Sequence, residues 1–563
     1  MRFRMRTPLA AAAAVTALVV TAGCSADDDN GEENGGGNGA ASSGQDQIII
    51  DQLFDGQEAA IDPHRAAAPS DRTMFRAMYD TLVTFPTADL SEPQPWLATE
   101  WSSNDDGTEW TFELREDVTF STGNALTSED VVWSMNRLKN IGDRASYLMD
   151  GLTVSADGDY TVVFESETTN AAVPFILTSS NAAVLDSEVM EENGGASDEA
   201  ASGTDDVGMF LSENSVGSGP YMLERYESGS EVVMVKNPEW WGTDPSFEQV
   251  VIRNSDPAVQ RLNIMSGEAH IVTDLGQEEI ASIGESDLQV ATSPGTNAWV
   301  LVFNLDESVS PVTSNPAFRE AAKHAIEWES LAELAGEGAE RHCGFIIPTV
   351  VSGLQEGDEG CLEYDIEHAR SLIQDAGLEG ESVTFTLQGF DRDGVNAVEF
   401  GSRISQMWSE IGIEAEILEQ PDAVVADLRN SGEIEVFIVP NSMRSPHPYT
   451  YVGTMNPSGG TSQSGDDYRG GWQAEGQAGA VHEPIEGQTE CAAIGVEAQN
   501  SPTMEEATPL YEEWQRCMNE VSPFIPLVVG TASVVAQPDL PEITEYHPLW
   551  AVDIPTLSGA TAG

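Results

Sequence analysis

The stretch VFIVPNSMRSPHPYTYV, Val436 to Val452, runs an apolar strand into a proline-punctuated loop that holds Arg444, His447, Tyr449 and Tyr451 and no carboxylate. In a chain with 95 Asp and Glu against 24 Lys and Arg, such a loop stands out as a place to look for recognition chemistry. Arg444 offers a bidentate fork to a carboxylate or phosphate. His447 can donate a hydrogen bond or lend one nitrogen to a chelated metal. Tyr449, Tyr451 and the more distant Trp472 offer faces on which a sugar or a peptide side chain can stack. Asn441, near the end of the strand, joins the same candidate set. Each residue also has a plainer reading: Arg444 as a surface ion-pairing group, His447 as a loop-stabilising residue, the tyrosines as hinge or core packing.

Motifs of catalysis do not appear. There is no G-x-S-x-G, no H-E-x-x-H, no P-loop and no G-x-G-x-x-G followed by a helix. The eight histidines, at 64, 270, 324, 342, 368, 447, 482 and 547, never fall at i, i+4. Glycines 35 to 37 belong to a polar tract and are not a phosphate cradle. The expectation is therefore no catalytic residue, no cofactor and no metal site. The alternative from another class is a secreted α/β hydrolase whose residues meet only in space.

The elements that must position the loop follow from periodicity. Ile48 to Asp51 reads as a first strand, and DPHRAAAPSDRTMFRAMYDTLV as a loop and then a helix with Phe75, Met78, Tyr79 and Leu82 on one face. EWTFELREDVTFSTG alternates as a strand does. Thr127 caps LTSEDVVWSMNRLKN, with Asp130 three residues on. Residues 191 to 206, EENGGASDEAASGTDD, read as an exposed loop. Ser228, Gly229 and Ser230 turn one strand into the next, and Gly267 closes the helix opened by Asp256-Pro257. Further on, helices from Asn315-Pro316, from Asp365 and from Ala397 to Ile411 alternate with the strands SVTFTLQGF, IEAEIL and IEVFIVP, the β-α-β rhythm of an α/β sheet domain. Residues 458 to 508 read as a long decorated loop.

Length, charge and the N-terminus bound the setting. The chain has 563 residues, enough for three or four domains. A net charge of -71 excludes nucleic acid and anionic lipid surfaces as broad partners, since both would be repelled. Spread along the chain, the acids imply a solvated, halophile-like acidic surface. MRFRMRTPLAAAAAVTALVVTAGC has three arginines, an apolar run too short to span a bilayer, and small residues before Cys24, the layout of an export signal. Ala-Gly-Cys resembles a bacterial lipobox, with Thr21 where that motif usually has Leu. It implies lipidation of Cys24 after removal of residues 1–23; a plain signal with an incidental cysteine is the alternative. Residues 24–47 are a Gly, Asn, Ser and acid tract, a flexible tether with a reach of about 25 Å. Of the remaining cysteines, sequence order pairs Cys343 with Cys361 and Cys491 with Cys517, although three connectivities are formally possible. A zinc site built from all four lacks any C-x2-C spacing.

Six segments taken in order resemble the family 5 extracellular solute-binding proteins, the peptide, nickel and oligosaccharide receptors of ABC importers. They are IDPHRAAAPSDRTMFRAMYDTLV, PWLATEW, GTEWTFELREDVTFSTGNALTSEDVVWSMNRL, VGSGPYMLERYESGSEVVMVKNPEWWG, VFNLDESVSPVTSNPAFREAAKHAI and PLYEEWQRCMNEVSPFIPL. The resemblance spans about 48 to 550 and implies an α/β, periplasmic-binding-protein-like fold of two lobes around a cleft, class II, large cluster C type. It implies lobe I at 48–298 with an inserted subdomain near 86–212, lobe II at 299–523, and a return to lobe I at 524–563. It further implies hinge closure on a small solute, a peptide or peptide-like one, and docking of a monomer on permease subunits at the outer face of the cell membrane. Nickel-chelate and oligosaccharide receptors of the same family are the alternatives. In peptide-binding relatives the strand matching IEVFIVP leads to an Asp-Pro whose carboxylate pairs with the ligand's ammonium. Here that dipeptide is His447-Pro448, or Ser445-Pro446 in a register slipped by two, so the usual amine anchor is absent. Trp299, where the chain would cross between lobes, is a candidate for the cleft wall, with buried strand packing as the equal alternative; Tyr221 after its Gly-Pro turn reads as structural, and Arg253, Asn254 and Asn181 are weaker candidates.

Overall fold

Two long strands, Gln289–Phe303 and Phe524–Ala536, pair antiparallel in the middle of an eleven-stranded sheet. The computed structural model describes residues 47–54, 61–66, 70–143, 145–284, 286–347, 350, 353–389, 391–442, 445–456, 487–543 and 545–560. Side chains of Gln289–Phe303 alternate between two cores, as the period of two in a strand requires. Ala298, Val300 and Val302 enter one; Trp299, Leu301 and Phe303 enter the other.

On one flank Val436–Ser442 pairs antiparallel with Gln289–Phe303, and Ser382–Leu387 and Glu414–Glu419 continue the sheet in parallel. Parallel neighbours need a crossover, and Ala397–Ser409 supplies it as a helix. Its buried stripe of Phe400, Ile404 and Trp408 faces the sheet, and Trp408 stacks on Phe385 at 5.3 Å and Phe303 at 5.8 Å. The expected β-α-β rhythm is present. On the other flank lie Ile271–Val272, Gln47–Gln52, Gln249–Asn254, Glu231–Lys236 and Tyr221–Glu227. Gly229, at φ 67°, makes the turn between the last two, and Gly267, at φ 78°, ends the helix Pro257–Ser266, both where expected.

A separate four-stranded sheet is ordered Ala98–Ser103, Glu109–Leu114, Thr161–Ser166, Leu152–Ala156. It packs under the helix Ser128–Asn140, whose start is fixed by Asp130 accepting the Thr127 N–H at 2.9 Å. Arg137 of this helix is fully buried. It reaches Asp62 at 2.6 Å and Asp205 at 2.9 Å, both carboxylates also fully buried. His64 accepts from the same guanidinium through Nδ1 at 3.1 Å and donates through Nε2 to the Ala183 carbonyl at 2.9 Å. The DPHR segment is therefore a buried ionic lock between the main sheet's elements and the inserted sheet's helix.

Two expectations are corrected here: residues 458 to 508 are not one long loop, since helix Gln488–Gln499 and the start of helix Met504–Val521 fall within them, while 458–486 lie outside the described residues. Residues 191 to 206 are not simply an exposed loop: helices Ser187–Glu192 and Ala201–Thr204 occupy its ends, and Asp205 carries the buried lock. Its Gly, Ser and acid composition hides this because the partner of Asp205 is distant in sequence. Disulfides join Cys343 to Cys361 and Cys491 to Cys517, the pairing that sequence order favours. The second clamps helix Gln488–Gln499 to helix Met504–Val521. No helix among the described residues is long and apolar enough to cross a membrane.

Burial pushes the Asp62 carboxyl up, yet the charge and hydrogen bonds of Arg137, with His64 and Arg65, hold it below the ordinary carboxylate range. Removing the arginine alone leaves two buried carboxylates with only the partly exposed Arg65 as their cation. We expect Arg137→Met to lower unfolding stability by about 3–5 kcal/mol, read from the urea midpoint; an unchanged midpoint would show that the lock carries no stability.

Candidate functional site

Val436–Ser442 delivers the chain into Ser445, Pro446 and His447, and Pro448 then opens the helix Pro448–Met455. Proline suits the first helical position because its missing N–H needs no partner there. His447 is the N-cap: its Nδ1 accepts the Tyr449 N–H at 3.2 Å. The hydroxyl of Thr450 donates back to the carbonyls of His447 at 2.9 Å and Ser445 at 3.3 Å. From helix Gln488–Gln499, Gln499 Nε2 donates to the Tyr449 carbonyl at 3.0 Å. These bonds tie Ser445 and His447 onto the start of the helix.

The His447 ring is only 3% exposed. Its centroid lies 5.0 Å from Phe175, which belongs with the inserted sheet's elements, and 6.4 Å from Tyr511 of helix Met504–Val521. Because Nδ1 accepts, the neutral imidazole carries its proton on Nε2. Among the described residues nothing accepts that Nε2–H, and nothing pairs with the buried Ser445 hydroxyl. Burial pushes the His447 pKa down to about 3, so the ring is neutral at physiological pH. The candidate site thus holds an uncharged, buried N–H donor beside two aromatic rings, chemistry suited to a carbonyl or carboxylate oxygen.

The other candidates separate. Tyr449 is half-buried against the inserted sheet's core, and burial, with the charge of Asp150 behind it, raises its phenol pKa. Tyr451 is buried in the core that Val300 and Val439 enter. Asn441 is buried, its Nδ2 3.3 Å from the Met455 sulfur. Trp299 is fully buried on the opposite sheet face, among Phe303, Phe318 and Trp408, so its side chain packs the strand and is not presented beside His447. Tyr221 donates to the Phe247 carbonyl, Arg253 to Asp51, and Asn181 to the carbonyls of Pro63 and Ala66, all structural contacts. Arg444, Trp472 and Cys24 lie outside the described residues. Phe175 and Tyr511 are the site residues that sequence reasoning misses, since each meets His447 only through long-range packing.

A family model for bacterial extracellular solute-binding proteins, family 5 Middle, matches residues 92–463. The chain belongs to this family. Its members are solute-binding proteins and not enzymes, and so is this one. Among curated relatives, the probable D,D-dipeptide-binding periplasmic protein DdpA of Escherichia coli K12 is 24% identical over 416 residues, covering 72% of this chain and 77% of the relative. The fold is that of the Helicobacter pylori binding protein DppA, solved with the peptide STSA, at TM-score 0.73, 19% identity and coverage of 90% of this chain and 97% of that one. It is equally that of Campylobacter jejuni NikZ, solved with Ni(L-His), at TM-score 0.73, 16% identity and coverage of 91% and 99%.

In this family 5 protein two further histidines are held neutral by burial. The pKa of His64 is pushed down to about 4, by burial first and then the Arg137 charge, and that of His342 to about 3 by burial. His270 and His547 are shifted the same way, while His324 is raised, by its hydrogen bond to Glu320. A depressed histidine leaves the unfolded chain to bind the proton first, so its stability is intact above about pH 6.5 and is lost as pH falls towards the folded value. Each of the three strongest cases amounts to about 2 kcal/mol by pH 5. The urea midpoint in 1 M salt should therefore drop between pH 7 and pH 5, with a shallower drop in His342→Leu; parallel curves would refute the assignment.

Proposed function

We propose that this chain is the substrate-binding component of an ABC importer for peptides or peptide-like solutes, tethered at the outer face of the cell membrane through a lipid on Cys24. Membership of family 5 supports the transport role, and the resemblance to D,D-dipeptide and STSA-bound receptors supports the ligand class. The lobes in this reading are 48–298 with an insert near 86–212, and 299–523, with 524–563 returning to the first. Gln289–Phe303 and Phe524–Ala536, the strands common to both flanks, serve as the hinge. Ligand shifts the population toward the closed form only as far as it binds that form better.

The observation that carries the ligand reading is the buried Nε2–H of His447. A neutral donor at this place recognises an acceptor oxygen and gives no ion pair to a free α-ammonium. It also disfavours a nickel chelate held by His447, because releasing Nε2 for a metal would put the proton on Nδ1, against the Tyr449 N–H. The solute is thus a peptide or peptide-like molecule held here through a carbonyl or carboxylate.

The test is a thermal-shift and calorimetric panel of di- to pentapeptides, each free and N-acetylated. A ligand present at 100 times its Kd adds about 2.7 kcal/mol of stability. Wild-type protein should bind the acetylated and free forms within a few-fold of each other, and His447→Asp should come to prefer the free amine by tenfold or more. Absence of any shift with peptides would reject the ligand class; strong loss on acetylation in the wild type would reject the donor role of His447.

A further inference from the structure

Away from the His447 loop, helices Pro316–His324 and Ile366–Ala376 lie side by side over the core built on Trp408. Their inner faces bury Phe318, Ala321, Ala322, Ala369 and Ile373. Their outer faces bring together Glu320, His324 and His368, whose potential ligand atoms all lie within 4.8 Å of one another. Glu320 and His324 are one helical turn apart, with Nε2 to carboxylate oxygen at 3.2 Å. The His324 and His368 rings meet edge to face at 4.9 Å between centroids.

What separates this cluster from ordinary surface polarity is the support behind His324. Its Nδ1 lies 2.8 Å from the Glu363 carbonyl and donates to it, while its own carbonyl accepts the Asp365 N–H at 2.9 Å. That backbone clasp fixes the ring plane and keeps a proton on Nδ1, so Nε2, which donates to Glu320 in the metal-free protein, is the nitrogen that binds an ion once its proton is displaced. A histidine that donates its far N–H to a backbone carbonyl is the arrangement that orients metal ligands. Metal–ligand bonds of 2.0–2.1 Å place tetrahedral ligands about 3.3 Å apart, which the His324–Glu320 pair already satisfies. Exposed His368 can close the remaining gap by a small rotamer change.

We propose that Glu320, His324 and His368 form a surface site for a borderline divalent transition-metal ion, with water as the fourth ligand. Two imidazoles and one carboxylate suit Zn2+ better than Mg2+ or Ca2+, which favour all-oxygen sets. The bound ion cross-links the two helices on the outside of their shared core. The site is independent of the solute bound at His447.

The test uses chelator-treated full-length protein titrated with Zn2+ by calorimetry in 0.5 M salt with excess Mg2+, which occupies the many carboxylates non-specifically. The expected result is one saturable site per chain and a raised thermal midpoint. His368→Ala and Glu320→Gln should each weaken binding by at least about tenfold. Both positions lie on the solvent side, so folding of the variants is checked by their zinc-free midpoints. Absence of saturable one-to-one binding, or binding that both variants retain at wild-type strength, overturns the proposal.

Discussion

The antiparallel pairing of Gln289–Phe303 with Phe524–Ala536 is the constraint on which the rest depends. Each strand is long enough to serve both flanks of the sheet, and each is buried along most of its length. Because side chains alternate, one short run, Ala298 to Phe303, seeds two cores at once. Whatever pairs next to it inherits that division. Val436–Ser442 does so: Phe437 and Val439 join Val300, while Val436 and Ile438 join Trp299. The loop that follows is thereby aimed toward the face where Phe175 and Tyr511 wait. A one-residue slip in register would turn the strand's side chains to the opposite faces.

Two buried polar arrangements sit at the seams of this scaffold and differ in kind. Arg137 and Arg65 with Asp62 and Asp205, and neutral His64 hydrogen-bonded beside them, form a closed set in which every charge is answered by another, and so lock the inserted sheet to the main one. His447 is half satisfied: Nδ1 accepts the Tyr449 N–H of the helix it caps, and Nε2 is buried with no partner among the described residues. A buried donor left in this state costs stability on the order of 1–3 kcal/mol, a cost that a ligand oxygen would remove.

Much of this architecture is legible from sequence because it is local. Thr127 with Asp130, Asp365 as a cap, the Gly229 turn and the Gly267 stop each depend on a few neighbouring residues, and the six ordered segments carried the family and the fold. The strand Val436–Ser442 and the departure of its loop from Asp-Pro were also visible. What stayed hidden is long-range. Asp205 looked like part of an acidic loop until Arg137 came to meet it. Trp299 lay at a plausible crossing point, yet strand alternation turned it into the opposite core. Glu320, His324 and His368 share no local signature because the third group belongs to another helix.

The central claim is that this family 5 protein captures a peptide-like solute through an acceptor oxygen at His447. Native mass spectrometry of the protein as purified, followed by release and fragmentation of any bound molecule, tests it most directly. We expect one bound species per chain, in the mass range of short peptides, and its loss in a variant that removes the His447 ring. A bound oligosaccharide or metal chelate, or a peptide retained at full occupancy without that ring, would contradict it.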